Sequence, residues 1–399
     1  MSLLSPGSHR VAAQFDDEAL VTVMRTIEVA WSAALAETGV ATLAQAQAVA
    51  TAAIRCNLDP AALAEPTEAV GNPVGPLISA LRAEVPNPEA AALVHFGLTS
   101  QDVLDTALVL LTRDAFDHMR ANLSASARAL ADLAGTHRDI VMAGRTLGRY
   151  AVPITVGLKA AQWLAGILDA RDLIEQTNAT LPVQCGGAAG TLALLGTRTS
   201  RPQATVAAFA RRLGLTDPGV PWHTRRAPIT GIGHAAVTAC DAFGVIAADV
   251  LALSRPGVGE IREAPARGRG GSSTMPHKQN PVLSVLIRRA ALRAPLLGAQ
   301  LHLSAAEAVD ERPDGAWHAE WESLRELLVL VTTAAAHTAE LTAGLEIDTR
   351  AIDGHVTVAA AELLAERGVP GDPATYTGSA AEFVDLVLRR YADTEPEEK

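Results

Sequence analysis

The stretch LDTALVLLTRDAFDHMRANLSASARALADL, residues 104–133, decides the fold. Its apolar positions Leu104, Leu108, Leu111, Ala115, Met119, Leu123, Ala127, Leu130 and Leu133 recur at three and four, which keeps one face apolar for about eight turns of 3.6 residues. A stripe that long is buried only against helices of similar length. Segments at roughly 154–178, 228–254, 281–308 and 317–345 supply them, with Pro153, Pro228 and Pro281 at or near their first turns, where a missing N–H costs nothing. Five long helices make a central bundle.

Composition agrees. Of the 399 residues 49% are hydrophobic, 19% charged and only 4% aromatic, and alanine and leucine crowd almost every segment. That is ample for a packed core and suits closely packed helices better than sheets, which draw on β-branched and aromatic residues. The expectation is an all-α chain of three helical domains. Residues 1–97 form the first, opening with an amphipathic helix from Asp16 to Glu37 (Leu20, Val23, Met24, Ile27, Ala30, Trp31, Ala34) that Gly39 stops, followed by short helices broken at Pro60, Pro66, Pro73, Pro76, Pro86 and Pro88. Residues 98–345 hold the bundle. Residues 346–399 make a small cap with turns at Gly368, Pro370, Gly371 and Gly378 and a frayed acidic tail. The run from Leu327 to Val331 is apolar over more than one stripe, so self-association through the bundle is expected.

A formal net charge of -11 gives no field for phosphate backbones or anionic lipid, so nucleic acid is excluded as a partner. Cys56, Cys185 and Cys240 stand alone without CxxC spacing, which fits a reducing cytoplasm and argues against a disulfide framework or a thiolate zinc site. No basic-then-apolar leader opens the chain, and Asp241 and Asp249 interrupt its most apolar helix, so no membrane span is expected.

The chemistry concentrates between two long helices, from Gly268 through Gly270, Gly271, Ser272, Ser273, Thr274, Met275, Pro276, His277, Lys278, Gln279 and Asn280 to Pro281. Glycines let backbone N–H groups close on an anion, and the helix restarting at Pro281 adds positive potential. Lys278 is one of only three lysines in the chain. Ser272 can exchange a proton with carbon, while Lys278 and Asn280 stabilise charge developing on a neighbouring carboxylate. As an isolated string, the same loop also reads as a soluble connection between helices.

From Gly271 to Pro281 this loop resembles the signature loop of the fumarase/aspartase superfamily, matching G-S-S-x-M-P-x-K-x-N-P at every defined position. Two further segments follow the family's order. His95, Phe96, Gly97, Leu98, Thr99, Ser100, Gln101 and Asp102 resemble its first active-site segment, and Gly144, Arg145 and Thr146 through Pro153, Thr155 and Gly157 resemble the second. The resemblance implies a homotetramer in which segments from three subunits meet at each site, with no metal or organic cofactor. It implies catalytic roles for Ser272, Lys278, Asn280 and His95, and substrate contacts for Thr99, Ser100, Gln101, Ser273 and Met275. Thr99 and Ser100 also read as plain helix caps, and His95 as a structural histidine.

Within the superfamily, Gln184 through Gly190, Pro221 through Thr224, and Trp317 through Glu322 resemble the cycloisomerase branch, which closes 3-carboxy-cis,cis-muconate to 4-carboxymuconolactone in protocatechuate breakdown. Gln184 and His223 join the expected site on that ground. A tricarboxylate needs cations, and Arg145, Arg149, Arg225 and Arg312 are the guanidinium groups expected to face it, although each also reads as half of a structural ion pair. Leu147 stands where adenylosuccinate lyases carry a histidine after G-R-T, and leucine moves no proton; ring closure by the substrate's own carboxylate requires none there. Leu147, Arg149, Tyr150, Arg225, Ala227 and Gln279 depart from the common cycloisomerase residues, and the C-terminal domain is shorter than usual. A related lyase that expels nitrite or an amine from a substituted succinate, and a non-catalytic helical tetramer, are the alternatives.

Overall fold

The computed structural model describes residues 3–272, 274–275 and 277–394. The chain is mostly helical: α1 (Asp17–Glu37), α2 (Leu43–Arg55), α3 (Ala64–Val70), α4 (Val74–Glu84), α5 (Pro88–Ala91) and α6 (Ser100–Thr136) come first. A hairpin, β1 (Val141–Thr146) and β2 (Arg149–Thr155), interrupts them, followed by α7 (Val156–Ala179), α8 (Ala193–Gly196), α9 (Pro202–Leu213) and α10 (Ala227–Leu253). Then come β3 (Ile261–Glu263), α11 (Val282–Ala306), α12 (Gly315–Ala343), β4 (Leu345–Ile347), α13 (Thr349–Leu363) and α14 (Ala380–Thr394). The five long helices expected from the apolar period are α6, α7, α10, α11 and α12.

Local chemistry sets the boundaries. Asp16 caps α1 by accepting the Ala19 N–H at 2.9 Å, and Thr42 and Gln45 form a capping box on α2. Gly214, at φ 66°, ends α9 in the left-handed region. Thr155 turns the hairpin into α7 by accepting the Leu158 N–H at 3.0 Å. Gly157 is obligatory there, because a Cβ would lie 2.5 Å from the Arg138 Cα.

The chain divides into two compact units. One comprises residues 1–117, 175–234 and 296–329. In it α1 buries Met24, Ile27, Trp31 and Leu35, and Trp31 meets Phe209 of α9 edge to face at 5.3 Å. The other comprises residues 118–174, 235–295 and 330–399. There α13 buries Ala359 and Leu363 on Ala143 of the hairpin, and Arg390 of α14 pairs with Asp169 and Asp172 of α7 at 2.6 and 2.7 Å.

Residues 12–37 and 227–253 are long and apolar enough to cross a membrane by length and composition. Half of the most apolar stretch of each is buried inside the protein, and Asp249 of the second pairs with Lys159 at 3.1 Å.

Candidate active site

In the first unit the site begins at the N-terminus of α6. Asp102, three residues after Thr99, reaches back to accept the Thr99 N–H at 3.0 Å, as a third-position acid does in a capping box. Its buried carboxylate also accepts the Gly186 and Gly187 N–H groups, both at 2.9 Å, and His223 Nε2 at 2.7 Å. One acid therefore ties the Thr99–Gln101 segment to the glycine turn and to His223. Gln101 is fully buried, donates from Nε2 to the His223 carbonyl at 2.9 Å, and leaves Oε1 without a partner. His223 Nδ1 and Arg312 Nε are likewise buried and unpartnered. Arg312 donates to the Thr99 hydroxyl and, at 3.2 Å, to the Ala188 carbonyl.

Beneath this surface lies an ionic core. Arg226 is buried between Asp105, at 2.7 and 3.0 Å, and Glu320, at 2.5 Å, with Trp317 Nε1 donating to Asp105 at 2.9 Å. Burial works to lower the Arg226 pKa, but the two carboxylates outweigh it and hold it well above its ordinary value. The cation built into the scaffold is thus Arg226; its neighbour Arg225, expected against substrate, is exposed. Gln184 is buried with both ends of its amide engaged, Oε1 by the Trp222 N–H at 3.0 Å and Nε2 by Asp105 at 3.3 Å. In the free chain it serves as an internal cross-link. Burial pushes the Cys185 thiol well above its usual range, so that side chain fills space.

In the second unit the G-R-T segment is a β-hairpin, which the helical reading missed. Leu147 (φ 51°) and Gly148 (φ 78°) occupy a two-residue turn with both φ positive, pairing Thr146 with Arg149 and Arg145 with Tyr150. Gly148 was the available signal. Thr146, Leu147 and Arg149 are exposed at the tip. Arg145 instead turns inward: it pairs with buried Glu260 through two bonds of 2.6 and 2.8 Å and lies over the Tyr150 ring at 5.3 Å. Its guanidinium is committed to Glu260, while Arg149 stays exposed at the hairpin tip.

The glycine loop springs from β3. Glu263 caps α11, accepting Leu283 N and Ser284 N, both at 3.2 Å, and Arg269 pairs with Glu263 at 3.3 Å and with Glu340. Asn280 closes the loop's neck, its backbone N–H and its Nδ2 each donating to the Gly270 carbonyl at 2.9 Å. Gly270 has φ 77°, and a Cβ on it would lie 2.6 Å from the Asn280 carbonyl. Inside the neck Ser272 Oγ accepts the Met275 and Thr274 N–H groups at 3.2 and 3.4 Å. Two backbone amide donors thus converge on this hydroxyl oxygen. Lys278 and Met275 are exposed on the same loop. Ser273 lies outside the described residues.

A cavity of about 130 Å³ beneath the neck is lined by Arg262, Glu263, Arg269, Gln279 and Asn280. That is below the roughly 300–1,000 Å³ of sites that enclose small ligands. Among the described residues no three His, Cys, Asp or Glu side chains gather as metal ligands.

A family described as Lyase matches residues 9–296. Nitrosuccinate lyase from Streptomyces davaonensis is 43% identical over 374 residues, which is 92% of this chain and 79% of that one. A 3-carboxy-cis,cis-muconate cycloisomerase from Bradyrhizobium diazoefficiens is 40% identical over 352 residues, 87% of this chain and 77% of the relative. Among solved structures, the 3-carboxy-cis,cis-muconate lactonizing enzyme from Pseudomonas putida superposes with a TM-score of 0.88 at 30% identity, over 97% of each chain.

Proposed function

Since the chain belongs to the lyase family of the fumarase/aspartase superfamily and is a cycloisomerase-like enzyme of it, we propose that it forms and breaks the bond between a carbon β to a carboxylate and a weakly basic anion, the reaction being ring closure of 3-carboxy-cis,cis-muconate to 4-carboxymuconolactone. The carrying observation is the loop: Ser272 Oγ under two amide donors, with Lys278 exposed beside it. In ring closure a substrate carboxylate oxygen bonds to the alkene carbon and the serine hydroxyl protonates its neighbour. In the reverse direction the serine oxygen takes that proton as the C–O bond breaks. Lys278 stabilises the charge that gathers on the adjacent carboxylate. Arg149 at the hairpin tip supplies a cation for a further carboxylate.

Leu147 fits this chemistry. A departing carboxylate is a weak base and leaves without a proton, so the hairpin tip needs no acid. Nitrite is also a weak base, and the 43% identity to a nitrosuccinate lyase favours, as a second reading, elimination of nitrite from nitrosuccinate at the same loop. Leu147, Arg149 and Tyr150, which depart from the common cycloisomerase residues, support that reading too. The active form is a homotetramer sharing its sites between subunits, a state supported by the exposed apolar Val285, Leu292, Leu296 and Leu303 on α11.

The test is to offer the purified protein 3-carboxy-cis,cis-muconate and nitrosuccinate in parallel, following diene absorbance and nitrite. Loss of diene establishes the cycloisomerase. Nitrite release without diene loss moves the protein to the second reading, and silence on both refutes the chemistry.

A further inference from the structure

We infer that Glu28 is a positioning residue of this active site, holding His95 in the tautomer that leaves Nε2 bare as a proton acceptor; the inference rests on the elimination chemistry proposed above. Glu28 lies mid-way along α1 and is fully buried. Its two carboxylate oxygens are divided between one residue's groups: Oε2 accepts the His95 backbone N–H and Oε1 meets His95 Nδ1, each at 2.8 Å. An ionised carboxylate only accepts, so Nδ1 carries the proton and Nε2 carries the lone pair.

The placement is built, not incidental. His95 sits at φ 62°, a region that bulky residues occupy only when their surroundings enforce it. The enforcement comes from both sides: Trp31, one turn after Glu28 on α1, donates to the Phe96 carbonyl at 2.9 Å, and Arg82 of α4 donates to the Val94 carbonyl at 2.9 Å. Four residues later Thr99 caps α6, the helix start expected to face substrate.

Of the other histidines tied to carbonyls or acids, His223 on Asp102 and His137 on the Leu133 carbonyl also commit one nitrogen, whereas two commit both. His355 uses both nitrogens, on Glu260 and on the Gly257 carbonyl, and His318 uses both, on the Asp314 and Gly71 carbonyls. His95 commits only Nδ1. Its side chain is 16% exposed and Nε2 has no partner among the described residues. Nor has Glu28 any other ion-pair partner among them. In the elimination direction the C–H bond breaks as Ser272 takes the proton, the C–H electrons form the alkene, the anion leaves with the C–X pair, and the hydroxyl proton that Ser272 sheds comes to rest on Nε2. Addition returns it.

Glu28→Gln tests this. The amide oxygen still accepts the His95 backbone N–H, while the amide nitrogen donates to Nδ1 and drives the ring proton to Nε2. We expect kcat to fall by at least about 100-fold, the usual share of a general acid or base, with KM little changed and the melting temperature close to wild type. Nitrogen NMR of the His95 ring, identified by its loss in His95→Asn, should show a bare Nε2 in the wild type and a protonated Nε2 in the variant. His95→Asn, whose short side chain tolerates the same backbone, should lose kcat similarly and stands in if Glu28→Gln does not fold. A protonated Nε2 in the neutral wild-type ring overturns the inference, as does near-wild-type kcat in either variant. Wild-type protein inert on both substrates refutes the proposed function instead, and the NMR result still decides the tautomer.

Discussion

At the scale of single residues, the positions that sequence reading passed over are buried acids and the cations that answer them. Arg225 and Arg226 are adjacent, and nothing in the string Trp222 to Arg226 says which one folds inward. The structure buries Arg226 because Asp105 and Glu320 wait for it from two helices. Arg226→Leu strands two buried carboxylates and should cost about 3–5 kcal/mol, read as a lowered denaturant midpoint; a loss under about 1 kcal/mol would mean that the network is replaceable. Glu28, by contrast, was legible: it falls on the same helical face as Met24, Ile27 and Trp31, and a carboxylate inside an apolar stripe marks a buried polar contact. Asp102 had a similar signal in its place three residues after Thr99. Gln184 was expected at the site on resemblance, and Arg145 either as a cation for a carboxylate or as half of an ion pair; their partners, Trp222 and Asp105 for one and Glu260 for the other, are distant in sequence, so their inward commitment shows only in three dimensions.

At the scale of elements, the long helices were written in the apolar period, and each begins within a few residues of where the prolines and caps put it. The β1–β2 hairpin was not, because its six- and seven-residue strands carry no sustained alternation and its turn places a leucine at positive φ. The glycine loop shows a finer division of labour than its motif suggests. Asn280 closes the neck on Gly270, and Ser272 and Lys278 lie within the closed segment. Gly270→Ala places a methyl against the Asn280 carbonyl and forces an unfavourable φ, so the neck should open. We expect turnover to fall by at least about 10-fold while far-ultraviolet circular dichroism and melting temperature stay near wild type. Unaltered turnover would show that neck closure does not position Ser272.

At the scale of the whole molecule, α11 carries Val285, Leu292, Leu296 and Leu303 at 51%, 64%, 72% and 64% exposure, at spacings of seven, four and seven that place them along one side of the helix. So regular an apolar stripe in the free chain is what the proposed tetramer would cover. The double variant Leu292→Glu, Leu296→Glu should reduce the mass measured by light scattering to that of a smaller assembly and abolish turnover with it. A tetramer that survives the change, or an active monomer, would contradict the shared site. More basic than assembly or substrate is the role of one serine: Ser272 on the glycine loop moves the proton at carbon. Its most direct measurement is the initial rate of diene loss from 3-carboxy-cis,cis-muconate with wild-type protein and Ser272→Ala at matched concentration and matched mass by light scattering. Turnover in the wild type and a loss of at least about 1,000-fold in the variant are expected; a variant within a few-fold of wild type would mean that another group moves the proton.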